Sequence, residues 1–105
     1  MKTFTKIDPL IRPLVIALNT ARYKTSDSCQ GGDQDAFDDE EHFPNAYIAF
    51  HDVDVRRQDF PEIRKIVRRF TQTPFRIYTG YYFGEGIDPD AGMYSIIFRG
   101  KFTPK

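Results

Sequence analysis

Ile63-Arg64-Lys65-Ile66-Val67 repeats, 52 residues on, the pattern of Ile11-Arg12-Pro13-Leu14-Val15. In the first stretch Leu10, Leu14 and Leu18 join Ile11 and Val15 in one apolar stripe. In the second, Phe60, Ile63, Ile66, Val67 and Phe70 do the same. Apolar residues three and four apart lie on one face of a helix, so both stretches predict amphipathic helices. Asp8-Pro9 marks the expected start of the first, Pro13 is expected to kink or loosen its first turn, and Asn19 to stop it. The second is expected to start near Asp59 and Pro61 and to end at Gln72-Thr73-Pro74. An aromatic residue, Tyr23 or Phe75, opens the segment after each helix, which suggests an internal repeat. Any two amphipathic helices share much of this spacing, so the repeat remains an expectation.

Between and after the helices the period changes from 3.6 to 2. Tyr23–Cys29 reads as a short extended segment. Ala46, Ile48 and Phe50 alternate with Tyr47, Ala49 and His51. Phe75, Ile77, Tyr81 and Phe83 alternate with Arg76, Tyr78, Gly80 and Tyr82, which predicts one long strand. Met93–Arg99 reads as its partner across a Gly-, Asp- and Pro-rich loop. The order is helix, strand, strand, twice over. It predicts an α+β domain of two helix–strand–strand units, with an antiparallel sheet carrying both helices on one face. At 105 residues the chain is expected to form a single domain, 1–105.

Fifteen Lys and Arg balance fifteen Asp and Glu, with 40% hydrophobic and 15% aromatic residues. Such a chain can bury a core and does not have the composition of a disordered one. Net neutrality removes the inference of a strongly basic nucleic-acid binder. No apolar run reaches the roughly 18 residues of a membrane span, and Leu14–Leu18 is too short for a secretory signal. A lone cysteine, Cys29, permits no internal disulfide. The expectation is a cytoplasmic protein with no membrane partner.

One segment is unlike ordinary turn sequence. Tyr23-Lys24-Thr25-Ser26-Asp27-Ser28-Cys29-Gln30-Gly31 packs hydroxyls and a thiol ahead of a glycine pair. Glycine lets a backbone N–H approach an anion, hydroxyls give and accept hydrogen bonds, and a thiol can act as nucleophile. A purely structural use is equally concrete, with Thr25 and Cys29 as half-buried strand residues and the glycines turning the chain.

Ile7, Asp8, Pro13, Leu14, Val15, Leu18, Asn19, Tyr23, Thr25, Ser28, Cys29 and Gly31 together resemble the opening of the tRNA-wybutosine methyltransferase family. That resemblance, confined to about residues 7–31, implies an α/β fold, S-adenosylmethionine as cofactor and a hypermodified guanosine of tRNA as substrate. It implies catalytic roles for Ser28 and Cys29, while the residue types of the turn itself suggest ligand binding by Thr25, Ser26, Gln30 and Gly31. The chain departs from the family at Gly32, where an arginine is usual, and at Asp27, where a serine is common. Members are also substantially longer. The resemblance thus implies a shared half-fold more than a shared reaction, and fits a reduced, phage- or plasmid-encoded relative as well as an enzyme.

The acidic run Asp33, Asp35, Asp38, Asp39, Glu40 and Glu41 lacks the glycine and terminal glutamate of a calcium loop. One cysteine and two separated histidines, His42 and His51, make no zinc ligand pairs. His51, Asp52 and Asp54 more simply end a strand. No metal site is assigned. Arg64, Lys65, Arg68 and Arg69 form a basic helix face, followed by Arg76 and Tyr78 on the next strand. Cations beside tyrosines suit unpaired nucleotides, phosphate on the cation and base on the ring. The first expectation is therefore a nucleotide-like ligand or structured RNA, bound at the Thr25–Gly31 turn. The second is a non-catalytic protein-interaction or self-association module using the acidic loop and basic helix.

Overall fold

Both apolar stripes become helices over one side of an antiparallel sheet. The computed structural model describes residues 7–31, 45–51, 55–82, 87–88 and 93–105. Helix α1 spans Arg12–Thr20 and helix α2 spans Phe60–Phe70, the latter entered through a 3-10 turn at Arg57–Asp59. The strands are β1 (Thr25–Cys29), β2 (Tyr47–Phe50), β3 (Phe75–Thr79), β4 (Tyr81–Tyr82), β5 (Ile87–Asp88) and β6 (Tyr94–Phe98). Four of them form one sheet in the order β1-β2-β6-β3, every neighbour antiparallel. Each unit thus contributes a helix, an edge strand and a central strand, as the repeat predicts. Ile48 pairs with Ile96 where the two central strands meet.

The core lies between helices and sheet. Ile11, Leu14, Val15 and Leu18 of the first helical region and Ile63, Ile66 and Val67 of α2 are buried. They join Ile48, Phe50, Ile96, Phe98 and Phe102 in one cluster. Each such side chain removed from water contributes roughly 1.5–3 kcal/mol. The α2 positions between these, Arg64, Lys65, Arg68 and Arg69, are exposed.

α1 begins later than Asp8-Pro9 suggests. Asp8 does not cap the helix with its side chain. Its Oδ2 accepts from the backbone N–H of Gln30 at 3.0 Å, and Gln30 Oε1 accepts from Leu10 N–H at 3.0 Å. The entrance to α1 is therefore tied to the end of β1, and Pro13 falls in the first turn, where no N–H is needed. Asn19 does not stop α1 either. It stays in the last turn, its Nδ2 donating to Val15 O at 2.8 Å and to Thr25 Oγ1 at 3.1 Å. The chain leaves the helix at Arg22, φ +77°, with Tyr23 N–H on Leu18 O and Arg22 N–H on Asn19 O. Those paired bonds satisfy the last carbonyls.

The expected long strand 75–83 is divided. Gly80, φ +125°, ends β3, and β4 pairs with β5 in a separate two-stranded ribbon. Alternation survives across Gly80 in sequence, but the backbone turns there. Gly80 N–H donates to Met93 O, and Gly80 O accepts from Ser95 Oγ at 2.8 Å. β4 then lies against β2 and β6 on the sheet face away from the helices. On that face Tyr47, Ala49 and Ser95 are buried, so β2 is buried on both sides. Among the described residues, no helix is long and apolar enough to cross a membrane.

Candidate functional site

The Thr25–Gly31 segment is strand β1 and the turn after it, and the side chains of Thr25, Ser26, Asp27, Cys29 and Gln30 hydrogen-bond within the fold. Thr25 is buried beneath α1, its N–H donating to Asn19 Oδ1 at 3.3 Å. Ser26 Oγ donates to Ala49 O at 3.3 Å beside a bulge in the β1–β2 ladder. Asp27 accepts from the Tyr47 hydroxyl at 2.8 Å and from Ser28 N–H at 2.9 Å. Cys29 is buried against Tyr47, with the Gly31 N–H aimed at its Sγ at 3.3 Å.

Gly31 has a structural reason of its own. Its φ is +71°, and a Cβ there would sit 2.5 Å from Ala46 N. Only glycine fits this close approach of β1's end to the chain entering β2. Ser28 and Cys29 are not brought together. Ser28 shares a register row with Ile48, Ile96 and Ile77 on the helix side, whereas Cys29 shares one with Tyr47, Ile97 and Arg76 on the other.

A different place is open. Arg76 and Tyr78 lie on the sheet face away from the helices, two register rows apart on edge strand β3. With Asn45, Pro74, Phe75, Ile97, Phe98 and Arg99 they line a depression of about 380 Å³. A second, of about 480 Å³, adjoins it, shares Pro74 and Arg99, and is lined also by Gln72, Lys101, Thr103 and Lys105. Four cations thus line two contiguous depressions, and no acidic residue among the described ones lines either. Neither is lined by a residue of Thr25–Gly31. That segment therefore contributes no wall to either as a place for S-adenosylmethionine.

The scaffold fixes the backbone of these residues. Arg99 N–H donates to Pro74 O at 2.8 Å, and Gly100 N–H donates to Asn45 Oδ1 at 2.9 Å. Phe102 is buried in the core, its N–H on Gln30 O. Beyond it, Thr71 Oγ1 donates to Thr103 O at 2.5 Å, and Lys105 donates from its backbone N–H to Phe70 O and from Nζ to Arg68 O. The tail thereby closes the C-terminal end of α2, where cations also offset the helix dipole. Arg76, Arg99 and Lys101 have no side-chain hydrogen-bond partner among the described residues.

The basic face of α2 is only partly joined to this surface. Arg68 lies over the Phe75 ring at 4.6 Å and donates to Thr73 O at 3.0 Å, which puts it at the rim of the second depression. Arg64 lies over Phe60 at 5.8 Å. Lys65 and Arg69 are exposed on α2. Arg99, Lys101 and Lys105 were not singled out by sequence reasoning. Their signal is the alternation of exposed cations with buried Phe98 and Phe102 across the last strand and tail.

The acidic residues 33–41, His42, Asp52 and Asp54 lie outside the described residues. Among the described ones, no group of three or more His, Cys, Asp or Glu is placed to hold a metal ion. One ionisable group is clearly perturbed. Tyr23 donates its hydroxyl proton to Glu62 of α2, and that bond, with burial and the Glu62 and Asp59 charges, pushes its pKa from 10.0 up to about 12. This contact joins the two units and is remote from the basic depressions. No family model matches the chain, and neither a curated protein nor a solved structure is detectably similar to it.

Proposed function

We propose that this domain binds nucleic-acid phosphates and bases at the Arg76–Tyr78–Arg99 depression. The observation that carries the reading is one depression lined by two arginines and a 37%-exposed tyrosine, with no acidic lining residue among those described. Two arginines lining one depression with no carboxylate beside them make a positive local field that favours an anion such as phosphate. Guanidinium groups present forked donors that match phosphate oxygens. Tyr78 supplies a ring for a base, and Ile97, on the same sheet face, supplies apolar surface beside it. This reading differs from the expected site at Thr25–Gly31 and uses the opposite edge of the same sheet.

Fluorescence anisotropy of a labelled single-stranded oligonucleotide tests this reading. With three or four phosphate contacts, affinity falls roughly 20- to 50-fold between about 50 and 200 mM salt. Binding that is indifferent to salt contradicts phosphate recognition. Absence of binding at low salt contradicts the reading altogether.

A further inference from the structure

Resting on that reading, we infer that the ligand is a single strand of several nucleotides crossing both depressions, not a free mononucleotide. The two depressions are contiguous, and Pro74 and Arg99 belong to both. Their chemistry differs along the line they make. The first holds Tyr78, Ile97 and Arg76 on one sheet face. The second holds no aromatic residue and is lined by Lys101, Lys105, Gln72 and Thr103 around Arg99.

A mononucleotide satisfies the first depression alone, with its base at Tyr78 and its phosphate at Arg76 or Arg99. Lys101 of the second then meets no phosphate. A strand supplies a phosphate at every nucleotide, so the chain leaving the first depression passes Arg99 and brings its next phosphates to Lys101. Joining two weak sites through one ligand makes the second contact intramolecular, so affinity grows with length until both are filled. A paired duplex keeps its bases stacked inside and has none to place on Tyr78. The recognising chemistry, phosphodiester and exposed base, is common to RNA and DNA.

The test is a titration of the full 105-residue chain with uridine monophosphate and with oligouridylates of two, four and eight nucleotides. Deoxy strands, a duplex and inorganic polyphosphate complete the set. Affinity is expected to rise at least about tenfold from the monophosphate to the four-nucleotide strand. Lys101→Gln, at an exposed position, weakens the strand and leaves the monophosphate unchanged. Tyr78→Ala weakens strands but not polyphosphate, and the duplex binds less well than the single strand. Ribo and deoxy strands binding alike place recognition on phosphate and base; a preference for ribo strands adds the 2′-hydroxyl. Binding that is independent of length overturns the inference and leaves the underlying reading standing; a duplex that binds as well as the strand overturns the inference and also removes the base from Tyr78, leaving only the phosphate contacts of that reading. No binding of any probe overturns both.

Discussion

The backbone N–H of Arg99 donates to the carbonyl of Pro74 at 2.8 Å, and these two residues are the ones both depressions share. The bond joins the end of β6 to the entrance of β3. It fixes the Arg99 main chain while its side chain has no hydrogen-bond partner among the described residues. Position and charge are therefore separable by substitution.

Arg99→Gln keeps the backbone bond and removes the charge. Oligonucleotide affinity falls, and the slope of log K against log salt decreases by roughly 0.7, the value of one phosphate contact on a single strand. Folding stability stays within about 0.5 kcal/mol, as for other exposed substitutions. Anisotropy at several salt concentrations and urea unfolding check the two halves. An unchanged slope removes Arg99 from the interface.

Cys29→Ala and Ser28→Ala separate the proposed interface from strand β1. Both residues belong to β1, and neither lines a depression. Losing the buried thiol costs on the order of 1 kcal/mol of stability, and oligonucleotide affinity stays unchanged. A large loss of affinity in a folded Cys29→Ala protein returns the site to β1.

Gly31→Ala is a folding test. The substitution meets Ala46 N at 2.5 Å and places a side chain at φ +71°, so backbone strain adds to a steric clash. Destabilisation of about 2–4 kcal/mol is expected in urea unfolding. Gly100→Ala is the control, since its φ is +77° but nothing lies within 4 Å. It costs about 1–2 kcal/mol.

What the sequence made legible follows from the range of each signal. The helix faces were readable because Ile63, Ile66 and Val67 carry their burial in their spacing alone. The antiparallel order followed from two helix–strand–strand units. Gly80 was hidden because alternating residues on both sides of it mimic one continuous strand. The segment Thr25–Gly31 looked like a ligand loop because hydroxyls, thiol and glycine have the same identities whether they face a ligand or the protein. Only contacts such as Gln30 to Leu10 and Gly31 to Ala46 distinguish the two uses. The basic depressions needed the β3–β6 register. Arg76 and Arg99 are remote in sequence and meet because Arg76 pairs with Ile97.

Tyr23 gives the two helical units a pH-dependent link. Its folded pKa of about 12 lies above the ordinary 10.0 because the hydroxyl donates to Glu62, is desolvated by burial and lies near the Glu62 and Asp59 charges. The folded state therefore holds a proton that the unfolded chain releases near pH 10. Its contribution to stability is fully present below pH 10 and is lost as pH rises toward 12. Tyr23→Phe removes that part of the slope. Urea unfolding of both proteins at intervals across this range measures it, and equal slopes contradict the assignment.

The most direct measurement is a ¹⁵N–¹H NMR titration of the full chain with a four-nucleotide single strand at low salt. The largest shifts are expected at the backbone amides of Arg76, Tyr78, Arg99 and Lys101 and at the arginine Nε–H groups of residues 76 and 99. Amides of residues 25–31 are expected to stay nearly still. Shifts concentrated at Thr25–Gly31, or on the Arg64–Lys65 face of α2 with Arg76 and Arg99 silent, contradict the central claim.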